Sequence, residues 1–125
     1  MQALATTLIL LAAVVNLVPV SGLLSAERLR ALYGVPFEGA ALLILMRHRA
    51  VLFGIVGGLL VASAFHRPLR AAALGAGLVS MLSFVVIAGL QGGANAELER
   101  VVAVDLVASV GLVAAELLDR FSQES

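Results

Sequence analysis

Four long apolar runs govern what this chain can fold into, and two of them carry charges in their interior. Residues at about 3–20, 40–65, 69–90 and 98–118 each have the length of a membrane span. Roughly 20 apolar residues are needed to cross a hydrocarbon core about 30 Å thick. With 62% hydrophobic residues and a mean hydropathy of +1.10, little chain is left for a water-soluble domain. Strands are a poor alternative, because the runs are too long and each strand would need a closed barrel to pair its backbone in lipid. The chain is therefore read as all-α: a four-helix transmembrane bundle, a single integral membrane domain of 125 residues.

Composition narrows the chemistry. Eight Arg balance eight acidic residues with no Lys, so the formal net charge is zero. No basic stripe offers itself to nucleic acid, and no dense cationic cluster offers itself to anionic headgroups. Cys is absent, which removes disulfide exchange and thiolate metal sites from this chain. His48 and His66 are too few for a His-based metal cage, so neither a metal nor another cofactor is expected.

Along the chain, the first helix is expected over about Ala3–Val20 and broken by Ser21-Gly22. A cleaved signal peptide is the rival reading of this run. Signal peptides carry positive charge ahead of a shorter apolar core, whereas the first Arg here is Arg28, so a retained helix is preferred. Ser25 is a good N-cap for a short helix over Ala26–Leu32, which carries Glu27, Arg28 and Arg30 beside Leu29 and Leu32 and suits the membrane surface. Tyr33-Gly34-Val35-Pro36-Phe37 reads as a turn leading into extended chain. The second span then begins after Glu38-Gly39 and ends near Phe65, His66-Arg67-Pro68 is a tight connection, and Gln91–Asn95 forms the third loop. A polar tail is expected beyond Leu118.

Charges at membrane depth are where function is sought, since each costs about 2.5–3.5 kcal/mol on insertion scales. Arg47, His48 and Arg49 fall in the first half of the second span, and Asp105 falls inside the fourth. Antiparallel spans put the first and third loops on one side. At 1.5 Å per residue, Arg47 and Asp105 both lie roughly 10 Å in from that side. Asn16 and Ser83 lie close to the same layer. Arg47 shares a helical face with Val51, Gly54 and Gly58, and Gly54 and Gly58 have the Gly-x-x-x-Gly spacing that lets helices approach closely. Asp105 shares a face with Ser109, Leu112 and Glu116. The expectation is a buried polar cluster of Asn16, Arg47, Ser83 and Asp105, with Arg47 paired to Asp105 in a pocket that opens toward the first and third loops. Tyr33, His48, Arg49 and Ser109 are peripheral candidates. The plainer alternatives are that Arg47–Arg49 snorkel to headgroups, that the Arg47–Asp105 pair is a structural lock without a ligand, and that Asn16 and Ser83 bond only to backbone carbonyls.

The segments Leu32-Tyr33-Gly34-Val35-Pro36-Phe37 and Leu42-Leu43-Ile44-Leu45-Met46-Arg47-His48-Arg49-Ala50-Val51-Leu52-Phe53-Gly54 resemble those of small, uncharacterised four-helix bacterial membrane proteins, and more loosely the DoxX-like families. There a Tyr-Gly turn follows the first span and an Arg precedes a Gly-rich second span. The resemblance implies a multi-pass protein of the bacterial inner membrane with both termini in the cytoplasm. Arginine counts do not decide orientation, with three flanking the spans on each side. Proteins of this look sometimes carry a phosphopantetheine adenylyltransferase label. The sequence does not support it, because it lacks the His-x-Gly-His motif and any alternation of strands and helices.

Function then falls into three classes. The first is a binding or accessory membrane protein whose polar layer holds a lipid-like or amphipathic ligand, or a partner helix, with membrane lipid and a protein partner or a second copy as its associates. The second is a small proton-coupled transporter using Asp105. Small multidrug exporters match in size, but they use a Glu in the first span, where this chain has Asn16, and they carry Trp, which is absent here. The third, a membrane enzyme, lacks a Ser-His-Asp arrangement or paired intramembrane carboxylates, so no catalytic residue is assigned.

Overall fold

A computed structural model describes residues 2–23, 25–34 and 39–124. The expected turn at Val35-Pro36-Phe37 lies outside the described residues. Five α-helices follow one another: α1 (Gln2–Leu17), α2 (Ala26–Tyr33), α3 (Ala40–Phe65), α4 (Arg70–Gln91) and α5 (Ala96–Glu124). Four helical segments are long and apolar enough to cross a membrane: Ala3–Ser21, Ala40–Phe65, Arg67–Gln91 and Ala96–Phe121. The first is formed by α1 and the 3₁₀ turns that continue it, and no strand occurs among the described residues. The protein is an all-α, multi-pass membrane bundle.

Local chemistry explains the boundaries. Pro19 has no N–H for the Val15 carbonyl, so α1 stops at Leu17 and the chain tightens into a 3₁₀ segment, Val18–Leu23. Ser25 caps α2, its hydroxyl accepting from the Arg28 N–H at 3.2 Å. Asn95 caps α5 in the same way, accepting from the Leu98 N–H at 2.8 Å, and Glu97 and Glu99 favour the positive end of that helix. This cap starts α5 two residues ahead of Leu98. At its far end α5 continues through the expected tail to Glu124.

The spans form a closed ring in which α1 packs on α3 and α5, and α4 packs on the same two helices. The core is built largely from small side chains. Ala5, Ile9, Ala12 and Ala13 of α1 meet Leu60 and Ala64 of α3, Ala73, Leu74 and Met81 of α4, and Leu112 and Ala115 of α5. Among the span glycines the tightest is Gly57, where a Cβ would stand 2.6 Å from Leu17 Cγ and 3.3 Å from the Ala13 carbonyl oxygen. The expected contact at Gly54 and Gly58 is thus corrected. Gly58 is exposed with open space around it, and Gly54 has only Val20 Cγ2 at 3.5 Å. The outer surface is apolar, with Ile44, Ile55, Val79, Val107 and Leu90 turned outward, as a lipid-facing surface requires.

Candidate functional site

The two ends of the bundle treat their charges in opposite ways. At the end shared by the start of α1 and the end of α5, Arg70 is buried and its donors are matched. Its Nη1 donates to Asp119 Oδ1 at 2.7 Å and to Oδ2 at 2.9 Å. Its Nε donates to the Ser63 carbonyl at 2.9 Å, and Nη2 donates to the Ala64 carbonyl at 3.0 Å and to Thr6 Oγ1 at 3.4 Å. One guanidinium therefore caps the last turn of α3, whose carbonyls lack helical partners, and ties it to α1, α4 and α5. Arg67, half exposed, adds a second positive charge 3.6 Å from Asp119. This is the lock that sequence reasoning assigned elsewhere. The signal for it is spacing: Asp119 lies fourteen residues after Asp105 and seven after Leu112, on the same face of α5. Ending that helix at Leu118 hid it in a presumed tail.

At the other end Asp105 is 6% exposed, yet it makes no hydrogen bond and no ion pair within 4.0 Å among the described residues. Arg47 is not its partner. Arg47 and His48 are exposed on α3, and Arg49 is the cation that turns inward. The reason is geometric. Two residues advance a helix by about 200°, and the buried positions of α3 (Ala50, Gly57, Leu60 and Ala64) define a face that includes 49 and excludes 47. Depth agrees: Arg49 is nine residues into α3 and Asp105 nine residues into α5. The Arg49 guanidinium lies over three rings, with centroids at 4.6 Å for Phe53, 5.2 Å for Phe84 and 5.8 Å for Tyr33. It is thus held by cation–π contacts from α2, α3 and α4, and it makes no ion pair with Asp105 within 4.0 Å.

The remaining predicted residues divide. Asn16 is buried, donates to the Ala12 carbonyl at 2.9 Å and leaves its Oδ1 without a partner. Ser109 is buried one turn from Asp105, and its Oγ is likewise unpartnered. Ser83 is exposed and donates to the Ser80 carbonyl at 3.1 Å, so it does not join a buried cluster. Tyr33 is buried. No hydrogen bond links Asn16 to Asp105. The single four-residue layer therefore resolves into a lone carboxyl, a ring-clamped arginine beside it, and two separate orphaned polar atoms.

Asp105 opens onto a cavity of about 310 Å³. Val14, Val18 and Pro19 form one wall, Ala31, Leu32 and Tyr33 of α2 form a cover, and Val101 and Val104 of α5 form the floor, with Phe53 and Arg100 at the polar end. The volume is at the lower limit of small-molecule sites. The cover is tied down from the third loop, where Asn95 Nδ2 donates to the Tyr33 carbonyl at 3.0 Å. Gly34 ends α2 with φ +69°, and a Cβ there would strike the Glu97 carboxylate and stand 3.1 Å from Asn95 Nδ2. The positive φ favours glycine here, and a Cβ would also require the Glu97 carboxylate to shift. Among the described residues no group of three His, Asp or Glu could hold a metal ion.

No protein-family model matches this chain, and neither a curated protein nor a solved structure matches it. The site has to be read from its own chemistry.

Proposed function

We propose that this protein is a small binding or accessory subunit of a membrane, and that it holds a lipid-like, amphipathic molecule in the cavity between α1, α2 and α5. The observation that carries the reading is Asp105: a residue only 6% exposed whose carboxyl makes no hydrogen bond among the described residues and lines a cavity whose walls are otherwise almost wholly apolar. A buried polar group without a partner costs roughly 1–3 kcal/mol, more when charged. A ligand that supplies the missing donor offsets that cost. Apolar walls with a few convergent polar groups at one end suit a molecule with a greasy body and a small polar head.

The experiment is native mass spectrometry of the full chain released from its own membrane in polymer-bounded discs. The expected result is a retained amphiphile that Val104→Phe, which fills the cavity floor, removes. A spectrum without an adduct, or with one insensitive to Val104→Phe, contradicts the proposal.

Proton-coupled transport through Asp105 is the second reading, favoured by the same carboxyl nine residues into α5. It predicts a proton flux in proteoliposomes that Asp105→Asn abolishes. We place the protein in the bacterial inner membrane with both termini cytoplasmic, on the resemblance around Tyr33-Gly34 and Arg47–Gly54. The cavity then faces the periplasmic side. Cysteines at Gly93 and at Pro68 should label from the periplasm and the cytoplasm respectively, and the reverse pattern overturns this orientation.

A further inference from the structure

A separate polar groove opens between α3 and α4. Arg49, Leu52, Phe53 and Val56 of α3 line it with Ser80 and Ser83 of α4, around a volume of about 160 Å³. Leu52 and Ser83 are exposed on the outer surface of these two spans, so the groove opens sideways toward lipid. Phe53 lines both this groove and the cavity, whereas Arg49 lines the groove and Asp105 the cavity. The Arg49 guanidinium makes no hydrogen bond and no ion pair within 4.0 Å among the described residues. The rings of Phe53, Phe84 and Tyr33 hold it, at 4.6, 5.2 and 5.8 Å. A ring face attracts the charge but offers no lone pair to the N–H donors of a guanidinium. An oxoanion matches those donors best, because it accepts two of them side by side. Ser83 Oγ stands in the same groove and donates to the Ser80 carbonyl at 3.1 Å, a bond within its own helix that a charged acceptor outcompetes.

Depth suits a lipid head. With 26 residues, α3 is about 39 Å long at 1.5 Å per residue and overhangs a hydrocarbon core of about 30 Å. Arg49, nine residues in, therefore lies in the outer part of one leaflet, where a head drawn slightly inward reaches it. A cation at that depth is costly, and a bound anion offsets the cost. We infer that this groove is a second binding site, for the oxoanion head of an acidic membrane lipid, with Arg49 binding the anion, Ser80 and Ser83 donating from their hydroxyls, and the acyl chains left in the bilayer. The head is small, a terminal phosphate or carboxylate, because the groove encloses only about 160 Å³. The site does not depend on the amphiphile reading of the other cavity, since the two spaces share no polar side chain.

The chain has no Trp, so Leu52→Trp sets a single fluorophore in the groove, and Leu11→Trp, on the exposed side of α1, serves as reference. Each full-length chain is reconstituted in phosphatidylcholine bilayers with increasing brominated phosphatidic acid or brominated phosphatidylcholine, and quenching gives the relative affinity of the two lipids. Phosphatidic acid should be preferred about tenfold at position 52, the scale of one charge-assisted hydrogen bond, with near parity at position 11. In the Leu52→Trp background, Arg49→Gln should bring the ratio close to one, and Arg49→Lys should keep part of it. Arg47→Gln, which removes an exposed charge two residues away, should leave it unchanged. Ser83→Leu, which fills the groove and leaves Arg49 on its rings, should lower the ratio severalfold, and it carries the test if melting curves show that Arg49→Gln does not fold. Parity at position 52, an equal preference at position 11, a preference that survives both Arg49→Gln and Ser83→Leu, or an equal loss in Arg47→Gln overturns the inference. A preference abolished by inorganic phosphate in the buffer makes a free anion the occupant and overturns the lipid assignment. None of these outcomes bears on the adduct that Val104→Phe is expected to remove.

Discussion

Replacing Asp119 with Ala is the sharpest test of how the bundle is held together. The substitution removes the carboxylate that accepts both hydrogen bonds from the buried Arg70 Nη1 and that also faces Arg67 3.6 Å away. Two guanidiniums then lose the carboxylate they share. Breaking a buried pair by deleting one partner costs about 3–5 kcal/mol. The presence of Arg67 places Asp119→Ala toward the upper part of that range. The comparison is Glu116→Ala, one turn earlier, which breaks a pair with Arg120 at 3.0 Å whose side chains are 44% and 71% exposed. Exposed pairs of this kind are worth about 0–1 kcal/mol. The double variant Arg70→Met with Asp119→Leu should regain much of the loss, because no uncompensated charge stays buried, although the Ser63 and Ala64 carbonyls lose their donor. Unfolding by titration with a denaturing detergent, following helix content, reads all of these. Equal stability of Asp119→Ala and Glu116→Ala would refute the reasoning.

Two further outcomes follow from packing and capping. Gly57→Leu should cost about 1–3 kcal/mol by overpacking against Leu17 and the Ala13 carbonyl. Gly58→Leu, in open space, should be neutral or stabilising through the better helix propensity of Leu; the same detergent titration separates the two. Asn95→Ala should cost about 1 kcal/mol through loss of the α5 cap. Because Asn95 also donates to the Tyr33 carbonyl, that variant should speed amide exchange in α2 more than in α4, and equal rates there would show that the tether does not hold the cover.

Much of the fold could be read from the chain. Run length set the spans, Ser25 marked the start of α2, and Asp105, Ser109 and Leu112 followed helical spacing onto the buried face of α5. Choosing the inward face of α3 could not be done the same way. That helix is apolar on every side, so no polar face marks the outside, and the lipid-facing surface is as greasy as the core. Arg47 and Arg49 are both at plausible depth, and the buried face of α3, which only the packed bundle reveals, decides between them. The Arg70–Asp119 lock was hidden for a different reason. Arg70 begins α4 and Asp119 lies in the last turns of α5, where charges are ordinarily solvated, and only packing of four helices around one guanidinium buries them.

The central claim is that two buried acids serve opposite ends: Asp119 holds the bundle, and Asp105 is kept at a cost to stability because it serves the cavity. Asp105→Leu tests this directly when its unfolding free energy is measured in delipidated protein. The account predicts a variant as stable as the unmodified chain or more so, since a carboxyl that makes no hydrogen bond among the described residues is exchanged for an apolar side chain in an apolar setting. A loss of stability comparable to that of Asp119→Ala would contradict it, and would make Asp105 a structural residue.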